Sequence, residues 1–379
     1  MLDSLIKFTI NREEFLKALL NTTRVANNKL VNQIFGNIML TLTDEGLTLI
    51  CSDDKITIKT FVPTFKNEKQ IIRNGNNGSI LVEAHYLTEI VRLSTAKELS
   101  FEVLGDAVAK IESNGDSKYT LNTINAEEYP DTDFELTGSK ITISTNDFAD
   151  IVNQVSFAAM VKGSRPVLSA INMTCEGSQL TFTATDGARL ARKELHTDSR
   201  DMFNVNIPTK TMQEALKTVT NEKTIDLYIS DKKIIFEFNG TLLHSKLISG
   251  EYPNTRNIIP KVFYYFLQVN SAELLNAISR VSLFSIEREN IVKITMLEGK
   301  VIVSSKSNQV GSGEENLNLF TYKGDRLEIS FNTDFVSSAI RSLKSEDVLI
   351  SFMGEMKPFT VTNPNDPTII QLITPVRTY

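Results

Sequence analysis

Six times along this chain, an apolar residue closing a strand-like stretch is followed five, eight and nine positions later by further apolar residues. From Ile10 the set is Phe15, Ala18 and Leu19; from Val82, Leu87, Ile90 and Val91; from Ile143, Phe148, Ile151 and Val152. From Ile207 come Met212, Ala215 and Leu216; from Val269, Leu274, Ala277 and Ile278; from Phe331, Val336, Ala339 and Ile340. These offsets put three side chains on one face of a helix that begins just past the strand. The starts lie 61 to 72 residues apart, too long a period for a simple solenoid. The spacing predicts six copies of one strand–helix–strands unit.

Units one, three and five carry a second mark. Each is followed by two alternating runs joined through Glu-Gly: Ile38–Leu42 and Leu47–Ile50 around Glu45-Gly46, Ile171–Thr174 and Leu180–Thr183 around Glu176-Gly177, and Ile291–Met296 and Val301–Val303 around Glu298-Gly299. Such runs predict β-hairpins, with glycine supplying a positive φ at the turn. Units two and four close instead on Glu-Tyr-Pro, at Glu128-Tyr129-Pro130 and Glu251-Tyr252-Pro253, 123 residues apart. The larger repeat is therefore a pair of units, an ordinary domain size. Three α+β domains are expected at 1–135, 136–261 and 262–379. No Gly/Ser-rich or low-complexity linker separates them, so the joints should be tight.

A chain of 379 residues, 41% of them hydrophobic, can bury a core in each of three domains. Its longest uninterrupted apolar stretch, Val262–Leu267, is far too short to span a bilayer. Asp3 and Lys7 interrupt the N-terminal apolar stretch, which lacks the layout of a signal peptide. Cys51 and Cys175 are the two cysteines and imply no disulfide framework. A soluble intracellular protein without membrane attachment is expected.

Catalytic constellations are missing from the sequence. His85, His196 and His244 have no metal-ligand spacing, and neither cysteine has a histidine nearby in sequence. They read as ordinary surface or packed residues. The acidic pairs Asp53-Asp54, Glu127-Glu128 and Glu314-Glu315 read as solvated turns or connectors. The glycine cluster Asn74-Gly75-Asn76-Asn77-Gly78 lacks the lysine and helix of a phosphate loop and reads as a long hairpin tip. A hydrolase has no nucleophile–base pair to work with.

Charge gives a smaller clue. The net charge is −6, yet the six helix windows (12–24, 84–97, 146–162, 210–223, 271–281 and 333–346) total +2, leaving −8 for the rest. That asymmetry is compatible with helices facing a polyanion and an acidic exterior facing solvent.

Several segments then acquire meaning together. The middle domain contains Ser164-Arg165-Pro166-Val167-Leu168-Ser169-Ala170-Ile171 and then Ala184-Thr185-Asp186-Gly187-Ala188-Arg189-Leu190-Ala191. Later come Gly250-Glu251-Tyr252-Pro253-Asn254 and Ile259-Pro260, and the sequence closes on Ile373-Thr374-Pro375-Val376-Arg377-Thr378-Tyr379. In this order and spacing they resemble the beta sliding clamp family of bacterial DNA polymerase III, across essentially the whole chain. The resemblance implies three repeated clamp domains of two units each, in a head-to-tail dimeric ring with helices inside and sheets outside. It implies a non-catalytic, cofactor-free clamp that encircles duplex DNA without reading sequence and tethers the replicative polymerase. Containment needs no base contacts, and a mildly favourable lining permits sliding where a strongly basic one would grip phosphates. The clamp loader, repair polymerases and mismatch repair proteins are expected as further partners through short linear motifs. The expected location is cytoplasmic, at the nucleoid during replication.

By the same resemblance, Leu168, Thr185, Gly187, Ala188, Arg189, Leu190, Pro253, Ile258, Asn332, Phe335, Met356, Pro358, Pro375, Val376 and Arg377 form a peptide-binding cleft. Leu168, Leu190, Ile258 and Val376 would offer aliphatic walls to leucine and aromatic anchors, and Arg189 and Asn332 would orient polar positions. Lys29 matches a DNA-contacting position, and Lys162 and Arg165 occupy a corresponding loop. Lys17 and Arg24 join them on helix position. A dimer contact is expected between Tyr119 and Leu121 of one subunit and Ser282, Leu283 and Phe284 of another. The chain departs from many relatives at Ala188, Pro166, Val167 and Thr374, which bears on peptide preference. A repeat scaffold that binds proteins without encircling DNA is the alternative.

Overall fold

The computed structural model describes residues 4–26, 32–105, 108–113, 117–219, 222–285 and 290–377. All six helices form where the apolar pattern places them: α1 (Arg12–Thr22), α2 (Ala84–Leu93), α3 (Thr145–Val155), α4 (Thr209–Thr218), α5 (Ser271–Val281) and α6 (Thr333–Leu343). Each starts on the residue after a strand, as at Ser4–Asn11 before α1 and Leu327–Asn332 before α6. Sixteen of the eighteen pattern positions are buried, Ile90 and Leu216 being half-buried. Fully burying a leucine, isoleucine or phenylalanine contributes about 1.5–3 kcal/mol, so this stripe holds each helix to its sheet. Asparagine caps three of them: Asn11 Oδ1 accepts from the Glu13 and Glu14 amides, Asn270 Oδ1 from Glu273, and Asn332 Oδ1 from Asp334 and Phe335. No helix among the described residues is long and apolar enough to cross a membrane.

By packing, the chain divides into two compact units: Met1–Thr145 with Glu214–Leu247, and Asn146–Gln213 with Ile248–Tyr379. The middle third of the sequence thus contributes to both. Strand pairing is the cause, because it joins residues of different sequence repeats. In the first unit Thr241–Lys246 pairs with Ile56–Pro63; in the second, Arg189–His196 pairs with Asp366–Ile373.

The first unit holds a thirteen-stranded sheet. It runs from Ser139–Ser144 through Thr224–Ile229, Lys233–Phe238 and Thr241–Lys246 to Ile56–Pro63, Gly46–Ser52, Asn37–Leu42 and Gly78–Glu83. It continues through Ser117–Ile124, Val108–Ser113, Glu98–Leu104 and Ser4–Asn11 to Ile72–Asn76. The second unit holds a nine-stranded sheet in the order Met202–Pro208, Ala170–Glu176, Gln179–Thr185, Arg189–His196, Asp366–Ile373, Phe359–Asn363, Asp347–Phe352, Tyr265–Asn270 and Phe320–Lys323. Beside it is a four-stranded sheet, Gly311–Asn316, Lys300–Ser307, Ile291–Leu297 and Leu327–Asn332. The strand pairs are antiparallel, and helices α5 and α6 bury their stripes in one cluster with Val292, Ile294, Val303, Ile350 and Val361.

The three Glu-Gly hairpins are present, but glycine serves two purposes in them. Gly177 and Gly299 adopt φ of 62° and 72° inside the loops, as a tight turn requires. Gly46 follows its loop, where an added Cβ would lie 2.2 Å from the Val62 carbonyl oxygen, so close approach excludes any side chain. Three expectations fail, one of them at Asp53, which is only 7% exposed and accepts two backbone amides rather than sitting in a solvated turn. Residues 74–78 are not a hairpin tip: Ile72–Asn76 pairs with Ser4–Asn11 while Gly78–Glu83 pairs with Asn37–Leu42, so the chain passes extended from one neighbour to another. Glu314 and Glu315 lie on an edge strand, and Glu315 pairs with Arg280 of α5 rather than facing solvent alone.

Candidate functional site

Of the expected cleft residues, Thr185, Gly187, Ala188, Arg189, Leu190, Pro253, Phe335, Pro358, Pro375 and Val376 gather at one end of the nine-stranded sheet. The strand Gln179–Thr185 ends there and Arg189–His196 begins, with the turn 186–188 between them. Side chains fix that turn. Asp186 Oδ1 accepts the amides of Ala188 and Arg189 at 2.9 and 3.0 Å, and Thr185 Oγ1 accepts from the Gly187 amide at 3.1 Å while donating to the Arg189 carbonyl at 2.6 Å. The Thr185 amide donates to the Tyr252 hydroxyl at 3.0 Å, which also places Pro253. Burial pushes the Tyr252 phenol well above its ordinary pKa, only partly offset by that amide, so it remains a neutral acceptor.

The C-terminal segment closes on the same turn. Arg189 is in register with Ile373, and Ile373 with Phe359, so Pro358 and the last residues share this end of the sheet. The Thr374 amide and hydroxyl both donate to the Ala188 carbonyl, at 3.0 and 2.7 Å. Two residues on, the Val376 amide donates to the Ser330 carbonyl at 2.8 Å. Ser330 lies on the strand that ends at Asn332, so the tail bridges from the nine-stranded to the four-stranded sheet.

Arg189 sits at the centre. Its Nε donates to Asp186 Oδ2 at 2.9 Å, and its guanidinium lies 4.5 Å from the Phe335 ring centroid and 5.4 Å from that of Phe157. Two aromatic contacts and an ion pair hold a side chain that is only 15% exposed.

Other positions behave differently from expectation. Leu168 and Leu190 are only 4% and 3% exposed, so they are covered here rather than standing as open walls. Exposed apolar surface comes instead from Ile258 and Met356, each 48% exposed, with half-buried Val376, Pro375 and Pro358 nearby in sequence or register. Asn332 has its Oδ1 committed to capping α6, so that oxygen is not available to orient a ligand. Arg377 is exposed.

Of the basic residues, Lys17, Arg24, Lys162 and Arg165 are all exposed, on α1, the turn after it and the loop after α3; Lys29 lies outside the described residues. Tyr119 is 41% exposed on the strand Ser117–Ile124, which pairs with Val108–Ser113 along Ser117–Asn122 but with Gly78–Glu83 only at Thr123 and Ile124. Among the described residues its second edge is therefore open beside Tyr119 and half-buried Leu121. Leu283 is 75% exposed, whereas Phe284 packs so tightly on the edge strand Gly311–Asn316 that a Cβ at Gly313 would lie 2.6 Å from its ring.

Sequence reasoning missed Phe157, Asp186 and Tyr252 as parts of the site. The Glu-Tyr-Pro repeat was a signal for Tyr252, because Tyr129 does the same thing in the first unit. There the Ser52 amide donates to the Tyr129 hydroxyl at 2.7 Å, and Asp53 Oδ1 accepts the amides of Lys55 and Ile56 at 3.1 and 2.8 Å. The Ser52–Ile56 turn thus repeats the hydrogen bonds of Thr185–Arg189, with isoleucine in place of the arginine. Phe157 follows α3 with no mark in the sequence.

Comparison with known proteins accounts for the whole chain. Residues 6–133, 142–254 and 256–377 match the N-terminal, central and C-terminal domain models of the DNA polymerase III beta subunit. The beta sliding clamp of Bacillus subtilis is 32% identical over 379 residues, covering 99% of this chain and 100% of that protein. That of Halalkalibacterium halodurans is 31% identical, covering 98% and 100%. The crystal structure of the Bacillus subtilis DNA polymerase sliding clamp superposes with a TM-score of 0.94 at 31% identity, over 99% of this chain and 100% of that one. The Streptococcus pneumoniae beta chain gives 0.94 at 30%, over 98% and 100%. On its full length, in three consecutive domains, this chain belongs to the beta sliding clamp family, the beta subunits of bacterial DNA polymerase III.

Proposed function

We infer that this chain acts as a DNA sliding clamp: two copies close head to tail into a ring around duplex DNA and tether the replicative polymerase without catalysing any step. The observation that carries this reading is the full-length match to sliding clamps, which a non-encircling scaffold gives no reason to expect. Three clamp domains, at 1–135, 136–261 and 262–379, each supply two helices to the DNA side. The exposed Lys17, Arg24, Lys162 and Arg165, with Lys29, give the DNA side its few cations, against a net charge of −6 overall. Weak attraction of this kind suits sliding, because each phosphate contact adds affinity that must be broken at every step.

Polymerase, clamp loader and repair proteins share the cleft at Thr185–Leu190 and the C-terminal tail. Support comes from the convergence of that turn, Tyr252 and residues 373–376 through hydrogen bonds of 2.6–3.0 Å. The protein works in the cytoplasm, on the nucleoid during replication.

Encirclement has a direct test. The protein is loaded by a matching clamp loader onto nicked circular DNA, moved to high salt, and half the sample is linearised. Retention on circles with loss from linear ends is the expected result. Equal loss from both, with loading verified beforehand, sinks the ring and leaves the scaffold reading.

A further inference from the structure

The hydrogen bonds that make the Thr185–Arg189 turn do not need an arginine, since the first unit makes the same turn with Ile56. The fixed posture of Arg189 therefore serves something other than the fold. Of the five N–H donors on a guanidinium, the one on Nε is engaged by Asp186. Among the described residues no hydrogen bond takes the four on the terminal nitrogens. The guanidinium carbon lies 5.4 Å from the Phe157 ring centroid and 4.5 Å from that of Phe335. Both rings pack against the buried cluster that contains Val336, Ile340 and Leu343, so neither is free to swing away.

We propose that Phe157, together with Asp186, is a positioning residue of the peptide cleft: it holds the Arg189 guanidinium so that its terminal NH2 groups meet an oxygen acceptor of the incoming peptide. This rests on the cleft assigned above. A free arginine side chain loses rotamer entropy when it binds; one already clamped by two rings and a carboxylate has lost it on folding. Phe157 thereby sets affinity without touching the peptide's anchors. It also links the end of α3 to the cleft, since it follows Val155 by two residues.

The test is a titration of a fluorescent polymerase-derived peptide into intact dimer. Phe157→Leu keeps apolar bulk but removes the aromatic face. It is expected to weaken binding about threefold to twentyfold, the range of a partly desolvated cation–π contact, with the dimer intact and only a small drop in melting temperature from the lost packing of the ring. Phe157→Tyr restores the face and should bind within about twofold of the parent. In an Arg189→Ala background Phe157→Leu should have no further effect. Asp186→Asn, which keeps Oδ1 for the backbone amides, gives an independent arm with the same expected loss and the same dependence on Arg189. Repeating the titration with the peptide's carboxylates amidated separates a backbone carbonyl, for which the coupling persists, from a carboxylate, for which it vanishes. Unchanged affinity in both Phe157→Leu and Asp186→Asn while Arg189→Ala weakens binding overturns the positioning role and leaves the cleft standing. An equal loss from Phe157→Leu with and without Arg189 also overturns it. No effect of Arg189→Ala itself means that the cleft has been misplaced.

Discussion

At the scale of single residues, two tyrosines do one job in two places, and only one place is expected to matter for binding. Tyr129 and Tyr252 each accept a buried backbone amide, from Ser52 at 2.7 Å and Thr185 at 3.0 Å. Removing either hydroxyl leaves that amide without its partner, which costs about 1–3 kcal/mol. Tyr129→Phe and Tyr252→Phe should therefore lower thermal stability by similar amounts. Peptide affinity should separate them, because Tyr252 steadies the turn that carries Arg189, whereas Tyr129 steadies one that carries Ile56. Thermal melts with a peptide titration on each variant check this. Equal affinities in the two variants would show that the turn's stiffness is irrelevant to capture.

Among elements, the joint between Arg189–His196 and Asp366–Ile373 has to hold for the proposed cleft to form, and it is secured at its far end by an ion pair. Lys193 Nζ lies 2.8 Å from Asp366 Oδ2, with side chains 7% and 29% exposed. Burial pushes the Asp366 carboxyl up, but hydrogen bonds from Lys193 and Thr368 outweigh it and hold the carboxyl below its ordinary value. A depressed carboxylate stabilises the fold above its unfolded pKa of about 3.9 and loses that contribution as pH falls through its folded value. Asp366→Asn should lower stability by about 1–3 kcal/mol at neutral pH, by stranding a covered ammonium, and should flatten the loss of stability that begins below about pH 5 and continues as pH falls through the lowered folded value. Urea melts at neutral and acid pH measure both, and an unchanged acid slope would remove the ion pair from the account. This joint also marks where the sequence stops being legible. The helices were readable because a buried stripe of period 3.6 is a local signal, and the hairpins because Gly177 and Gly299 sit between alternating runs. Which strand pairs with which across repeats is set by contacts between residues such as Arg189 and Ile373, far apart in sequence and with no local mark. The same holds for the cleft: its members could be named by resemblance, but the Phe157–Arg189–Phe335 stack joins three distant stretches through shape alone. Residues 74–78 were misread because glycine and asparagine mark turns by composition, while the backbone there is held extended by two different neighbours.

For the whole molecule, the question is what covers two edges that one chain leaves open. Among the described residues strand Ser117–Ile124 shows an unpaired edge beside Tyr119, and Gly311–Asn316 ends its sheet with Phe284 lying on it and Leu283 75% exposed next to it. Open edges flanked by apolar side chains invite pairing with another chain. The two surfaces differ, so a pairing of one with the other, as proposed for the dimer, would be head to tail, and such contacts form either closed rings or open filaments depending on the rotation. In a clamp of three domains per chain, two copies complete the circle. Leu283→Asp places a charge where it would be buried without a partner, at a cost of about 3–5 kcal/mol. A closed head-to-tail dimer contains this contact twice, so it should weaken by at least about 10⁴-fold and run as monomer in sedimentation at micromolar concentration. Retention on circular DNA should be lost with it, because a single copy closes no ring. Peptide affinity should stay, since Thr185–Leu190, Phe335 and the tail all belong to one chain and Leu283 has no role among them. A variant that remains dimeric would move the interface elsewhere; one that becomes monomeric yet still holds circular DNA would separate DNA retention from ring closure.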